Sequence, residues 1–238
     1  MKTSHGPKRR GGRITRSITG KVDAMPTGLR PLHGSLRKPL LSLLQAQING
    51  IENIPASGGF LLAANHRAFL DHFLLAAATP RPIRFIGKET LAEGLGGRFN
   101  TAMGMIPVRR GIADAEMMET ASAVLKAGVP IAIFPEGTRS RTGELYRFRS
   151  GMARLAVETG VPIVPTGIRG SWRVWPPEND LPYFRIPPHG LVEVTFCKPV
   201  VVATDSPRAR RDATNLVYDR IARACGQPRN NGYAPIGG

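Results

Sequence analysis

Phe60-Leu61-Leu62-Ala63-Ala64-Asn65-His66-Arg67-Ala68-Phe69-Leu70-Asp71 is a short apolar run, a polar break, and the opening of a second apolar run that continues to Ala78. The first run has strand length and the second has helix length, so residues 60–65 read as a strand and about 68–78 as a helix. The same alternation recurs along the chain. Strands are expected at 83–88, 131–136, 162–168 and 191–202, with helices at about 113–127, 149–159 and 206–225. Asp114, Glu116 and Glu119 crowd the start of the second of these four helices, where they complement its dipole, and Gly128 and Pro130 close it. Strand, helix, strand at this spacing predicts an α/β class: a single domain with a largely parallel sheet flanked by helices.

Upstream, Ser35 to Gln47 reads as an N-terminal amphipathic helix, with Leu36, Leu40, Leu43 and Leu44 on one face and Pro39 tolerable only in its first turn. Packing on the main domain and insertion into a membrane surface both suit it. Residues 171–190, with five prolines, Trp172 and Trp175, read as a surface excursion. The domain organisation expected is a basic, disordered arm over 1–33, a folded domain over 34–227 and a flexible tail over 228–238.

The whole chain has 238 residues and a formal charge of +16, enough length to bury a sizeable core and a balance that calls for a polyanionic partner. Residues 1–38 alone carry a net +9. An ordinary apolar content of 42% excludes a disordered or fibrous chain. Two cysteines, Cys197 and Cys225, cannot form a disulfide framework or by themselves a four-ligand zinc site, which fits a reduced, cytoplasmic setting. No apolar run reaches the roughly 18 residues of a membrane span, so a membrane partner would be met from its surface.

His66 and Asp71 carry the first chemical signal. Five residues apart on one helix they would stand about 140° apart, on different faces. They can meet only if His66 sits in the turn leaving the strand and Asp71 in the helix that follows. A carboxylate on one imidazole nitrogen fixes the tautomer and leaves the other as a general base. With no nucleophilic Ser or Cys beside the pair, that base would activate a hydroxyl of the substrate itself. The second signal is Phe134-Pro135-Glu136-Gly137-Thr138-Arg139, which ends another strand and so shares the edge where ligands bind in open α/β sheets. It opens a basic stretch of Arg139, Arg141, Arg147, Arg149 and Arg154, and guanidinium groups suit phosphate.

Asn65-His66-x4-Asp71, Phe85–Leu91, Gly104–Arg110, Phe134–Arg139 and Val161-Pro162-Ile163-Val164-Pro165 together, in this order and spacing, resemble the glycerolipid acyltransferases, and within them the 1-acyl-glycerol-3-phosphate (lysophosphatidate) acyltransferases. The resemblance spans about residues 35–225. It implies transfer of a fatty acyl group from a CoA or acyl-carrier-protein thioester to a lysophospholipid hydroxyl. His66 would be the base and Asp71 its orienting carboxylate. Lys88, Arg109, Glu136, Gly137, Thr138 and Arg139 would bind the phosphorylated substrate, and Val161–Pro165 would line a pocket. It implies no metal and no bound cofactor, with acyl-CoA or acyl-carrier protein entering as substrate. The expected partners are that donor, a lysophospholipid and an anionic membrane surface, at the cytoplasmic face, peripheral or monotopic. Other acceptors remain open: glycerol 3-phosphate, another lysophospholipid or a glycolipid.

A nucleic-acid-binding protein is the rival reading of the basic arm. The core carries no helix-turn-helix, zinc-finger or RNA-binding signature, and aromatic residues make up only 6% of the chain, few for base stacking.

Overall fold

Alternation along one strand shows how the layers form. The computed structural model describes residues 35–88, 105–108, 113–176, 178 and 186–235. Its strands are β1 (Gln47–Asn49), β2 (Leu61–Ala64), β3 (Arg84–Lys88), β4 (Met105–Val108), β5 (Ile131–Ile133), β6 (Ile163–Arg169) and β7 (Glu193–Phe196). Its helices are α1 (Arg37–Leu43), α2 (Leu70–Ala78), α3 (Ala113–Lys126), α4 (Gly151–Thr159), α5 (Ser171–Val174) and α6 (Pro207–Cys225). Leu62 and Ala64 of β2 face a core shared with α2, whereas Leu61 and Ala63 face a second core shared with α3, α4 and α6. A strand buried on both faces reads as a continuous apolar run, as 60–64 does. Each fully buried Leu or Phe contributes about 1.5–3 kcal/mol.

The seven strands lie in the order β1-β7-β6-β2-β5-β3-β4. Every neighbouring pair is parallel except β6 and β7. The α/β class and the largely parallel sheet expected from sequence are therefore present. β2 and β5 are neighbours in register, Ala63 opposite Ile133, but β2 runs on to α2 on one face and β5 to α4 on the other. Adjacent strands whose helices leave to opposite faces open a crevice at their C-terminal ends.

Several boundaries differ from the sequence reading. α1 stops at Leu43, and Gln47 belongs instead to β1, an edge strand paired with β7. The expected leucine face of α1 divides: Leu40 and Leu44 pack on the domain, joined by Leu41, while Leu36 and Leu43 are exposed. Arg37 explains this orientation, because its guanidinium donates to the carbonyls of Ala77 (2.6 Å) and Ala78 (3.3 Å) at the C-terminal end of α2. The strand expected over 191–202 is ordered in the sheet only at Glu193–Phe196, with Val200 returning to bridge Ile163. Within the excursion after Gly170, residues 171–174 form α5.

α6 is the longest helix among the described residues, begun by Ser206, whose Oγ accepts from Ala209 N–H at 3.1 Å, and by Pro207 in the first turn. It lies flat on β6 because Gly167 has no side chain: a Cβ there would stand 2.4 Å from that of Ala224. This contact delivers the residues after Cys225 to the C-terminal edge of the sheet. The stretch expected as a flexible tail is tied down over 228–232. Leu145 N–H donates to Pro228 O, Asn230 N–H to Leu145 O, and Arg147 N–H to Gly232 O. The basic arm at 1–33 and Arg109 lie outside the described residues, as does the side chain of Lys88.

Candidate active site

His66 stands two residues beyond β2, in the crevice between β2 and β5. Its ring Nδ1 lies 2.9 Å from Asp71 Oδ2. The same oxygen accepts the backbone N–H groups of Arg67 (2.7 Å) and Ala68 (2.9 Å). Asp71 thus closes the turn between strand and helix and sits in the first turn of α2, where the helix dipole favours a negative charge. The spacing has a mechanical meaning: four residues between His and Asp let one carboxylate oxygen hold the turn and the ring together.

Asp71 is fully buried and His66 nearly so. Burial pushes the Asp71 carboxyl up, yet the His66 hydrogen bond and charge and the Ala68 N–H outweigh it and hold the group below the usual carboxylate range. An ionised carboxylate has no proton to give, so Nδ1–H is the donor and Nε2 carries the lone pair. Phe134, leaving β5, stacks on the imidazole with ring centroids 3.8 Å apart. His72 packs edge-on to His66 at 5.1 Å and against Phe85 and Phe134. Burial foremost, with the nearby His66, lowers His72 to about 4, which keeps it neutral as part of an aromatic wall.

The main chain of His66 is held from β5. Its N–H donates to Glu136 Oε1 at 2.9 Å, and its carbonyl accepts from Ser140 N–H at 2.8 Å. Glu136 Oε2 accepts the N–H of Tyr146 at 3.1 Å. Glu136 was expected among the substrate-binding residues. Instead its buried carboxylate faces inward and binds two backbone N–H groups, because the polypeptide supplies the donors that a ligand would have supplied. Desolvation dominates its titration and raises it to about 7, against the two N–H groups.

Gly137 turns the chain outward at φ +81°, with its N–H on Phe134 O. Beyond it, Thr138 and Arg139 are half-buried, and Arg139 lies close enough to His72 to disfavour its protonation. The rest of the basic stretch does not converge here. Arg147 and Arg149 stand over the ring of Tyr233 at 5.3 and 5.4 Å, and Arg141 and Arg154 are exposed. Val161–Pro165, expected to line a pocket, is core: Val161 and Ile163 pack in one cluster and Val164 in the other. Pro165 pairs with Ala63, three residues short of His66, so the segment lies below the site.

Sequence reasoning assigned no role to Asn65, Ser140 or Gln227. Asn65 Oδ1 accepts from Ile168 N–H at 2.7 Å and its Nδ2 donates to Ile168 O at 2.9 Å, so its amide continues the β2–β6 pairing through a side chain. Its Nδ2 also reaches Gln227 Oε1 at 2.6 Å. An asparagine placed between a strand and a candidate base was the available signal. Among the described residues, no group of three His, Cys, Asp or Glu is placed to hold a metal ion. Both thiols are pushed up by burial, Cys225 to about 11, which leaves them unreactive.

A base–carboxylate pair at the end of the central strand is a geometry suited to hydroxyl activation. A family model described as Acyltransferase matches residues 45–169, the span that contains the dyad and the Glu136–Arg139 turn. The chain belongs to the acyltransferase family. It is 31% identical over 160 residues to a chloroplastic 1-acyl-sn-glycerol-3-phosphate acyltransferase of Brassica napus, covering 66% of this chain and 45% of that protein. It is 32% identical over 126 residues to the alpha form of that enzyme from Homo sapiens, covering 51% of this chain and 44% of the other. The chain thus spans less than half the length of these curated relatives. The acyltransferase fold itself is shared with PlsC, the 1-acyl-sn-glycerophosphate acyltransferase of Thermotoga maritima, at a TM-score of 0.60 and 22% identity, over 88% of each chain.

Proposed function

We propose that this acyltransferase moves a fatty acyl group from a CoA or acyl-carrier-protein thioester to the free hydroxyl of 1-acyl-glycerol 3-phosphate, giving phosphatidate at an anionic membrane surface. The observation that carries the reading is the 2.9 Å contact of His66 Nδ1 with a buried, ionised Asp71, which leaves Nε2 as the base. The relatives named for this reaction make a lysophospholipid the favoured acceptor.

In the reaction, Nε2 takes the proton of the acceptor hydroxyl while its oxygen attacks the thioester carbonyl carbon. Negative charge moves to the carbonyl oxygen, and Asp71, still ionised, stabilises the imidazolium. Collapse breaks the carbon–sulfur bond, and the leaving thiolate takes the proton back from Nε2. Arg139, with Lys88 and Arg109, holds the acceptor's phosphate, and Gly137 and Thr138 shape the turn that presents it. General-base catalysis supplies roughly 10²–10⁴-fold, and alignment of the two substrates the larger part of the remainder.

Purified protein given acyl-CoA and lysophosphatidate should release thiol and form the diacyl product in equal amounts. His66→Ala should lower kcat at least 10³-fold with its thermal transition intact. A variant as fast as the parent would overturn the mechanism. Glycerol 3-phosphate, a lysophospholipid with another head group and a glycolipid, offered in place of lysophosphatidate, would reveal a different acceptor by faster turnover.

A further inference from the structure

On the other side of β2 from the Glu136–Arg139 turn, the end of β6 borders a cavity of about 370 Å³. Arg67, Arg169 and Arg173 line it, together with Trp172, Gln227 and Gly143. This volume is at the lower end of small-ligand pockets. Neither His66 nor Asp71 contributes to its lining. Arg67 is nonetheless the residue after His66, and its N–H shares Asp71 Oδ2 with the imidazole.

The cavity is built rather than incidental. Arg67 is fixed between two surfaces: its guanidinium lies 4.5 Å over the Trp172 ring, and the chain at Gly143 comes so close that a Cβ would stand 3.2 Å from Nη2. Gln227 anchors that loop by donating to Gly143 O at 2.9 Å. Arg173 approaches the same Trp172 ring at 5.3 Å. Arg67 Nε is buried and has no hydrogen-bond partner among the described residues. Arg169 is only partly neutralised, by Glu193 at 3.4 Å with the Arg side chain more than half exposed. Three guanidinium groups around one hollow, one with an unused buried donor, make an anion site.

The chemistry of the proposed reaction decides which anion. The phosphate of 1-acyl-glycerol 3-phosphate is two carbons from the reacting hydroxyl. With that hydroxyl on Nε2, the phosphate must lie close to the dyad, and the proposed function gives it to Arg139. A thioester donor carries its phosphate at the far end of the long pantetheine arm. The cavity borders the dyad through Arg67 without including His66 or Asp71, so it can take a second phosphate, the donor's, while Arg139 holds the acceptor's.

We propose that the Arg67–Arg169–Arg173 cavity binds the phosphate of the phosphopantetheine that carries the acyl group. The acceptor and the donor then place their phosphates on opposite sides of β2, with the thioester and the hydroxyl meeting at His66 between them. This rests on the acyl-transfer reading above. The phosphopantetheine group is common to CoA and acyl-carrier protein, so the site does not by itself select between them.

The test uses the full chain and the double variant Arg169→Gln/Arg173→Gln, which leaves Arg67 and the dyad untouched. Binding of CoA, 4′-phosphopantetheine and unphosphorylated pantetheine is measured by calorimetry at low and physiological salt. In parallel, KM is measured for acyl-CoA, for acyl-carrier protein and for lysophosphatidate. The parent should bind CoA and 4′-phosphopantetheine, more weakly as salt rises, and pantetheine at least tenfold more weakly than either. The double variant should lose tenfold or more in both phosphorylated probes and in donor KM, with lysophosphatidate KM within twofold. Loss for CoA but not for 4′-phosphopantetheine would move the site to the nucleotide end of CoA and overturn the assignment. A rise confined to lysophosphatidate KM would give the cavity to the acceptor, overturning it equally. A parent that transfers acyl groups but whose CoA binding survives in the variant sinks the cavity alone. A parent that binds CoA through these arginines and transfers nothing sinks the reaction alone, and one that does neither sinks both.

Discussion

Glu136 Oε1 accepts the backbone N–H of His66 at 2.9 Å, across seventy residues of chain. The loop leaving β5 therefore sets the position of a base that leaves β2. Together with Ser140 N–H on the His66 carbonyl and Asp71 on its ring, this anchors one residue at three points. Preorganisation of that kind removes motions that would otherwise misplace the imidazole.

Replacing Glu136 by Gln keeps the shape but turns one acceptor into an NH₂, which must then face either His66 N–H or Tyr146 N–H. The unsatisfied pair costs about 1–3 kcal/mol. Glu136→Gln should lower the thermal transition and reduce kcat while the KM for acyl-CoA stays within twofold. Unchanged stability and turnover in the variant would show that Glu136 does not hold the base.

The titration of Glu136 gives stability a pH slope. Burial raises its folded pKa to about 7, above that of an unfolded glutamate, so the folded state binds the proton more tightly. Stability from this group is full below pH 4.5 or so and falls as pH rises towards 7, by about 3 kcal/mol at most. Asp71, held below its usual range, acts in the opposite sense and only in acid: its contribution is lost as pH falls through its folded pKa. Urea unfolding between pH 5 and 8 should therefore show parent stability declining relative to Glu136→Gln. A parent that gains on the variant over that interval would contradict the assignment.

Asp71→Asn tests the tautomer. Oδ2 alone serves the ring and both N–H groups, so the amide must place there either its NH₂, which forces the proton to Nε2 and removes the base, or its neutral oxygen, which no longer stabilises the imidazolium as a carboxylate does. The expected loss in kcat is about 10³–10⁴-fold with substrate KM little changed. The protein should remain folded, since the amide oxygen in the place of Oδ2 still accepts the Arg67 and Ala68 N–H groups. Activity within tenfold of the parent would mean that Asp71 serves the turn and not the ring.

Asn65 is a structural test of the same edge. Asn65→Ala leaves Ile168 N–H and O without their side-chain partners and frees Gln227. A destabilisation of about 1–3 kcal/mol is expected, measured by urea unfolding. Because Gln227 anchors Gly143 beside Arg67, the variant should also weaken CoA binding more than lysophosphatidate binding.

The basic arm, with most of the +9 of residues 1–38, is expected to add surface attraction of about 1 kcal/mol for each Lys or Arg near an anionic leaflet. Deleting residues 1–30 should reduce recovery on vesicles containing anionic phospholipid, an effect erased by high salt. Turnover of detergent-dispersed substrate should survive. Equal recovery of both proteins on those vesicles would remove the arm from membrane attachment.

The sequence by itself determined the α/β class, the central strand at 60–65, and the meeting of His66 with Asp71, because each depends on residues within a few positions of one another. A two-residue period buried on both faces reads as apolar throughout, and a turn between strand and helix constrains its own neighbours. Partners distant in sequence were decided only by tertiary structure. Glu136 looks like a solvent-facing or ligand-facing carboxylate until β5 is laid beside β2 and its oxygens meet the His66 and Tyr146 N–H groups. Val161–Pro165 looks like a pocket wall until the register puts Pro165 opposite Ala63, below the site. Arg67, Arg169 and Arg173 share a cavity only because β2, β6 and α5 end on the same edge. Hydrogen-bond partnership and convergence of charge are properties of register and layer order, which local pattern does not contain.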